Sequence, residues 1–228
     1  MRPEAFRDEA ERLAAAVVKL SLRHVVITSV ARDDLPDGGA SGFYESIRAV
    51  REQAPEVKTI EVLIPDFRGN AAALERVLEA GPDVLNHNLE TVPRLYRRVR
   101  PGSNYRRSLL LLARAKAQVP AISTKTGIML GLGEEADEVQ QLMQDAVESG
   151  VDIFTAGQYM RPSREHLEVV RYLPPEEFEA YSIRAKAVGF RHVFIGPLVR
   201  SSYHADEFLG DETGVHGLSV VGAAAARA

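Results

Sequence analysis

Apolar residues at the start of the chain recur with the period of a helix. Phe6, Ala10, Leu13, Val17 and Leu20 are spaced alternately by four and three, which places them on one helical face. The run that follows, HVVITSV at 24–30, reads as a buried strand. The same helix-then-strand unit repeats. Phe43, Ile47 and Val50 mark a helix before VKTIEVLIP, and Leu74, Val77 and Leu78 mark another, closed by Gly81 before DVLNHN. Leu109, Leu112 and Lys116 belong to a helix before AISTKTGIMLGLG; Val139, Leu142, Met143 and Ala146 belong to one closed by Gly150 before VDIFTAG. A last helix opens with Pro174 and Pro175, carries acids in its first turn, buries Phe178, Tyr181 and Val188, and ends at Gly189 before RHVFIGP. Six strand-like runs separated by helices imply parallel strands with right-handed crossovers. Either a doubly wound sheet or a partial barrel satisfies that pattern, and periodicity does not choose between them.

Composition narrows the class. With 228 residues, 45% hydrophobic and 26% charged, the chain can build one substantial core. The expected organisation is a single α/β domain over 1–208 and a Gly/Ala-rich tail over 209–228. No run approaches the roughly 18 apolar residues of a membrane helix, and MRPEAFRDEAER lacks the apolar core of a signal peptide. The expectation is a cytoplasmic protein without a membrane partner. A net charge of −4 argues against a dedicated nucleic-acid binder. There are no cysteines, so this polypeptide alone has no disulfides, thiolate nucleophiles or cysteine-held iron–sulfur clusters. Its six histidines show no ligand spacing, and no Ser-His-Asp triad can be assembled from their order.

In parallel α/β folds ligands gather at the carboxyl ends of the strands, so the residues just after each strand carry the candidate chemistry. After the first strand comes a long polar loop from Thr28 and Ser29 through Asp33, Asp34 and Asp37 to Gly38-Gly39. Asn86-His87-Asn88-Leu89-Glu90 offers amide, imidazole and carboxylate groups suited to a ribose or an amino acid, or to capping its own loop. Ser123 and Lys125 share one face of a strand, and an inward lysine needs an anionic partner. Gly127 to Glu135, GIMLGLGEE, is not a phosphate loop: it lacks the lysine-serine ending and runs into acids. Gln158, Arg161 and Arg164 follow VDIFTAG, where guanidinium forks could hold a carboxylate or simply face solvent. RHVV and RHVF repeat at two strand starts, the face associated with stability, so His24 and His192 read as structural. Six arginines between 94 and 107 suit either a solvated helix face or an acidic partner.

Taken in order, HVVITSVARDDLPDGGA, NHNLETVPRLYRRVRPGSNYRRSL, TKTGIMLGLGE, GQYMRPSREHLEVVRY and GPLVRSSYHADE resemble lipoyl synthase, of the radical S-adenosylmethionine superfamily, from about residue 20 to 207. The resemblance implies a partial (β/α) barrel of the radical S-adenosylmethionine type, here lacking the N-terminal cluster-bearing part. It implies insertion of two sulfur atoms into an octanoyl chain on a carrier-protein lysine. The implied cofactors are S-adenosylmethionine and two 4Fe–4S clusters, one cleaving S-adenosylmethionine reductively and one donating sulfur. The implied partners are an octanoylated lipoyl carrier protein or domain and an electron donor such as ferredoxin or flavodoxin. Carried over by position, Thr28, Ser29, Asn88, Glu90, Lys125, Gln158 and Arg161 line the cofactor and substrate cavity. The RSSY motif, Arg200 to Tyr203, supplies a serine oxygen to the auxiliary cluster, with Ser201 favoured and Ser202 the alternative. Ala31 and Leu85 depart from the family pattern without removing any of these residues. The larger departure is the absence of both cysteine triads, so the chain alone holds no cluster. The leading expectation is a lipoyl synthase whose cysteine-bearing residues precede Met1. The alternative is a cysteine-free pseudoenzyme that binds S-adenosylmethionine or a lipoyl carrier domain.

Overall fold

The computed structural model describes residues 3–201 and 220–221, with side chains from 6 to 201. The chain divides into two compact units, Met1–Asn86 with His204–Ala228, and His87–Tyr203. All six expected strands form, each after its helix, and the strand pairs within each unit are parallel.

In the first unit α1 (Pro3–Lys19) precedes β1 (His24–Thr28), α2 (Ala40–Gln53) precedes β2 (Thr59–Leu63), and α3 (Ala71–Glu79) precedes β3 (Val84–Asn86). β2 lies between β1 and β3. Phe43, Ile47 and Val50, the stripe read from the sequence, are the buried face of α2. The Asp37 carboxylate starts that helix by accepting from the Gly39 and Ser41 N–H groups at 3.0 and 2.8 Å. Gly39, at φ 90, is where the chain needs a left-handed residue to enter α2. Of the Gly/Ala-rich tail only Val220–Val221 is described; this short strand, β7, pairs in parallel with Ile27 and Thr28. The remainder of the tail lies outside the described residues.

The second unit contains α4 (Tyr96–Val99), α5 (Tyr105–Gln118), β4 (Ser123–Leu130), α6 (Ala136–Glu148), β5 (Ile153–Gln158), α7 (Pro175–Val188) and β6 (His192–Gly196). β5 runs between β4 and β6. Its core is tight: Phe154 is fully buried and stacks on Phe190 with ring centroids 4.9 Å apart. Burial of one such ring stabilises by about 1.5–3 kcal/mol. Asn104 caps α5 through Arg107 N–H at 3.0 Å, and Gly189, at φ 115, closes α7 as expected.

One device appears in both units. Asp83, just before β3, accepts from Ile60 N–H at 2.7 Å and from Arg51 on α2 at 2.6 Å. Asp152, just before β5, accepts from Thr124 N–H at 2.9 Å and from Lys116 on α5 at 2.7 Å. Each carboxylate ties the start of a strand to its neighbour and to the helix that precedes that neighbour. The sequence signal is a shared Gly-x-Asp-aliphatic step, GPDV and GVDI. His24 also fits this structural face, pairing through Nδ1 with Thr59 Oγ1 at 3.0 Å. His192 is held below its ordinary pKa by burial and by Arg191, with Asp152 opposing.

Candidate functional site

In the second unit the segment after β3, the carboxyl ends of β4 and β5, and the segment after β6 enclose a cavity of about 170 Å³. Asn88, Glu90, Gln158 and Ser201 give it polar walls, and Met129 and Met160 contribute apolar ones. That volume lies below the roughly 300–1,000 Å³ of pockets that engulf a whole drug-sized ligand. It accommodates a fragment, such as an amino-acid head or a sugar.

The strands make room for this hollow by omitting side chains. A Cβ on Gly127 would collide with Thr155 Oγ1 and approach Asn88 Oδ1 to 3.1 Å. A Cβ on Gly157 would collide with the Val199 carbonyl, so only glycine lets the 199–201 segment lie against β5. The segment is turned back by Val199 N–H donating to the Gly196 carbonyl at 3.1 Å.

Asn88–Glu90 is shaped chiefly by backbone contacts. Leu89 N–H donates to Thr126 Oγ1 at 3.2 Å, Glu90 N–H to the Gly127 carbonyl at 2.9 Å, and Met129 N–H to the Glu90 carbonyl at 2.8 Å. These bonds hold Glu90 at φ 66, an uncommon backbone state for a residue with a side chain. Burial raises the Glu90 pKa, while the Arg100 charge and a hydrogen bond with Asn88 oppose the rise. Arg100 Nη1 also donates to the Asn88 carbonyl at 2.7 Å. Asn88 Oδ1 is buried and accepts no hydrogen bond. A buried carbonyl oxygen left this way costs about 1–3 kcal/mol, which a donor on a ligand would recover.

Gln158 lines the cavity, yet its amide already serves the protein. Nε2 donates to the Tyr159 and Arg171 carbonyls, both at 3.2 Å, and Oε1 accepts from Leu173 N–H at 3.0 Å. It therefore pins the 171–173 segment to the end of β5. Glu134 acts likewise: its two oxygens accept from Gly131 and Leu132 N–H at 2.6 and 2.9 Å. The N–H groups that an anion would seek in GLGE are thus already occupied by a carboxylate, consistent with rejecting a phosphate loop.

The other site residues read from the sequence lie elsewhere. Lys125 is fully buried on β4 and does not line this cavity. Arg161 donates to the His166 carbonyl at 2.9 Å and to the Arg164 carbonyl, and stands 3.6 Å from Glu168. In the first unit Thr28 and Ser29 line a smaller hollow of about 50 Å³ beside Arg32 and Phe43. Ser29 Oγ donates to the Val30 carbonyl at 2.7 Å. Ser202 lies outside the described residues. Sequence reasoning did not single out Gly127, Thr155, Gly157 or Arg100. Gly127, which lies opposite Thr155 in the β4–β5 register, and Gly157, two residues beyond Thr155, could have been noticed as small residues on adjacent strands, whereas Arg100 was hidden among its neighbours in an arginine-rich run.

Comparisons with known proteins bear on this geometry. The Radical SAM superfamily matches residues 2–146. A lipoyl synthase of Acidithiobacillus ferrooxidans is 57% identical over 207 residues, 90% of this chain and 65% of that protein. One of Chlorobium limicola is 55% identical over 202 residues, 89% of this chain and 68% of that protein. The chain thus spans about two thirds of the length of the curated relatives it matches. Among solved structures, methylornithine synthase gives a TM-score of 0.53 at 16% identity, covering 90% of this chain and 67% of its own. Streptococcus suis SuiB gives 0.60 at 14% identity, covering 82% and 42%. At such identities the likeness is one of fold, and it decides between the two architectures left open by periodicity in favour of the partial barrel of the radical S-adenosylmethionine type.

Proposed function

The chain belongs to the lipoyl synthase family of the Radical SAM superfamily, and from that premise we propose that it is the barrel portion of an enzyme inserting two sulfur atoms into a protein-bound octanoyl chain. The observation that carries this reading is the fit of the cavity, lined by both Glu90 and Arg200, to a donor-bearing ligand of mixed charge. Asn88 Oδ1 is an orphaned acceptor, Glu90 is a half-buried acid, and Gly127 leaves the space that a Cβ would fill. S-adenosylmethionine carries ammonium and ribose donors and a sulfonium charge, and part of it suits a hollow of this size. Asn88 would accept a hydrogen bond from it. Glu90, once ionised, would balance its positive charge, so binding should tighten as pH rises through the Glu90 pKa. When bound and given one electron by a cluster held by residues outside these 228, S-adenosylmethionine would supply the radical that abstracts hydrogen from the acyl chain. Met129 and Met160 offer the apolar wall that an alkyl chain requires. Gln158 would act as the pin that keeps the end of β5 in place, while Thr28, Ser29, Lys125 and Arg161, which do not line this cavity, are carried as candidates by the resemblance alone.

The iron–sulfur clusters do not fit the residues present. Serine is a weak iron ligand beside thiolates, and the sequence contains no cysteine, so Ser201 or Ser202 could complete a cluster only if thiolates came from residues outside these 228. No step is assigned through them. The proposed partners are an octanoylated lipoyl carrier and a one-electron donor such as ferredoxin or flavodoxin. No described helix is long and apolar enough to cross a membrane.

The test is complementation of a bacterium that lacks lipoyl synthase and is fed no lipoate. The coding region, extended upstream to include both cysteine triads, should restore lipoylated carrier protein, and Asn88→Ala should weaken it. An in-frame stop directly upstream, or an extended protein that holds both clusters yet yields no lipoyl product, refutes the reading.

A further inference from the structure

We propose that the outer face of α4 and α5 is a docking surface for an acidic protein domain; identifying that domain as the acyl carrier rests on the function proposed above. From Thr91 to Gly133 the sequence has no Asp or Glu but seven arginines and two lysines, in a chain whose net charge is −4. Such segregation of charge is not needed to fold these helices.

The structure separates the arginines into two groups. Arg94 is held by both oxygens of Glu138 at 2.7 and 2.8 Å, Arg100 by the Asn88 carbonyl, and Arg107 bonds the Gly102 carbonyl at 3.3 Å. Arg97, Arg98, Arg106 and Arg114 are exposed, and none makes an ion pair or a side-chain hydrogen bond among the described residues. Arg106, Leu110 and Arg114 are four residues apart on α5, hence on one face, and Leu110 keeps 48% of its surface exposed. An edge-on contact between Tyr96 and Tyr105, centroids 5.5 Å apart, joins α4 to the first turn of α5. The acids that neighbouring α6 directs this way are already engaged. Glu138 holds Arg94, and Asp145 accepts from Tyr105 Oη and Gln141 Nε2, both at 2.8 Å.

Four unpaired guanidinium groups, two of them flanking an exposed leucine on α5, have the make-up of a protein interface that combines apolar surface with charge. Single exposed ion pairs contribute little, so such a surface works through several together, steers association and weakens with salt. Nucleic acid is disfavoured because the chain is acidic overall and the α5 face sets a leucine between Arg106 and Arg114 where single-strand binders set stacking aromatics. The surface also adjoins the cavity through the chain itself. Arg100, in the same segment, supports the Asn88 carbonyl, so a carrier seated on α4 and α5 rests on the segment that shapes the site.

The experiment titrates the intact chain with an octanoylated, acidic lipoyl carrier domain by calorimetry at low and moderate salt. Reversing Arg97, Arg98, Arg106 and Arg114 together to Glu should weaken binding about tenfold or more and flatten its salt dependence. Reversing Arg12, Arg48, Arg184 and Lys186, which changes net charge equally, should change it about twofold at most. Replacing the four arginines by Gln gives an intermediate loss and guards against misfolding of the reversed variant, with thermal melts as the check. The unacylated domain should bind almost as well, because the arginines read its surface and not its acyl chain. Equal losses in both reversed variants, no loss in the first, no binding by the native chain at low salt, or tighter binding of mixed-sequence RNA overturns the proposal. A negative result here with successful complementation rejects the surface alone; failed complementation rejects the function while leaving a measured basic docking face.

Discussion

Replacing Gly157 by Ala adds one methyl group directly beneath the segment that carries Ser201. Gly157 has no positive φ, so the substitution introduces no backbone strain and acts through contact alone. The new Cβ collides with the Val199 carbonyl and comes within 3.2 Å of Arg200 Nη1. The arginine tip can move, but the carbonyl belongs to backbone and must retreat by roughly an ångström to regain ordinary contact. Small-to-large changes at such sites cost about 1–3 kcal/mol. Gly81 provides the contrast, because its φ is +74 and a Cβ there meets nothing within 4 Å. Gly81→Ala should cost a comparable amount, about 1 kcal/mol, through conformation only. The two variants therefore separate in where they act. Urea unfolding should show both destabilised, while backbone amide spectra should show shifts at Val199 to Ser201 for Gly157→Ala and none there for Gly81→Ala. Unmoved 199–201 resonances in a folded Gly157→Ala protein of native stability would refute the idea that this glycine seats the segment.

Asp152→Asn removes the charge that Lys116 and Thr124 share, and hydrogen bonds to charged groups contribute about 1.5–3 kcal/mol, so a loss of that order is expected in urea melts. A loss under about 0.5 kcal/mol, the scale of an ordinary surface change, would contradict its role as a strand tie. Glu90→Gln tests the half-buried acid. Because burial lifts its pKa above the ordinary 4.5, the folded chain binds that proton more tightly than the unfolded one, and Glu90 costs stability increasingly as pH rises above that value. The variant should therefore exceed the native Tm at neutral pH and lose the advantage below about pH 4; a difference independent of pH rejects the assignment. Anaerobic reconstitution of the chain with iron and sulfide should give no stable visible chromophore, since no thiolate is present. Absorbance that survives desalting would overturn that account.

The order of elements was legible because each helix carried a period of 3.6 and three of them an explicit stop at Gly81, Gly150 or Gly189, while each strand was a compact apolar run. Strand ends were less so. β3 was read as reaching Asn88 but stops at Asn86, because Leu89 and Glu90 bond to Thr126 and Gly127 instead of continuing the ladder. β4 stops at Leu130, where Gly131 and Gly133 turn through positive φ. Asn88, Glu90, Gln158 and Ser201 could be nominated from their positions after strands and from family resemblance. The use each side chain is put to could not, since Gln158 bonding three backbone groups depends on a segment thirteen to fifteen residues away. Nor could Arg100 be told from Arg97 and Arg98: the three differ in direction, not in type.

A common feature of the polar residues around the cavity is that most are satisfied by backbone. Gln158 holds the Arg171 and Leu173 backbone, Glu134 the Gly131 and Leu132 N–H groups, and Arg100 the Asn88 carbonyl. Such bonds fix local chain paths without help from any bound group, so the shape of the hollow follows from the polypeptide and the cofactor does not have to organise it. What they leave unsatisfied is informative for the same reason. Asn88 Oδ1 is orphaned and Glu90 is a half-buried acid whose pKa desolvation raises against Arg100 and Asn88. A hollow that is otherwise preorganised but leaves one acceptor without a donor beside an acid discriminates by chemistry, not by size alone. It should accept an aminoacyl sulfonium fragment and disfavour a neutral thioether of equal bulk.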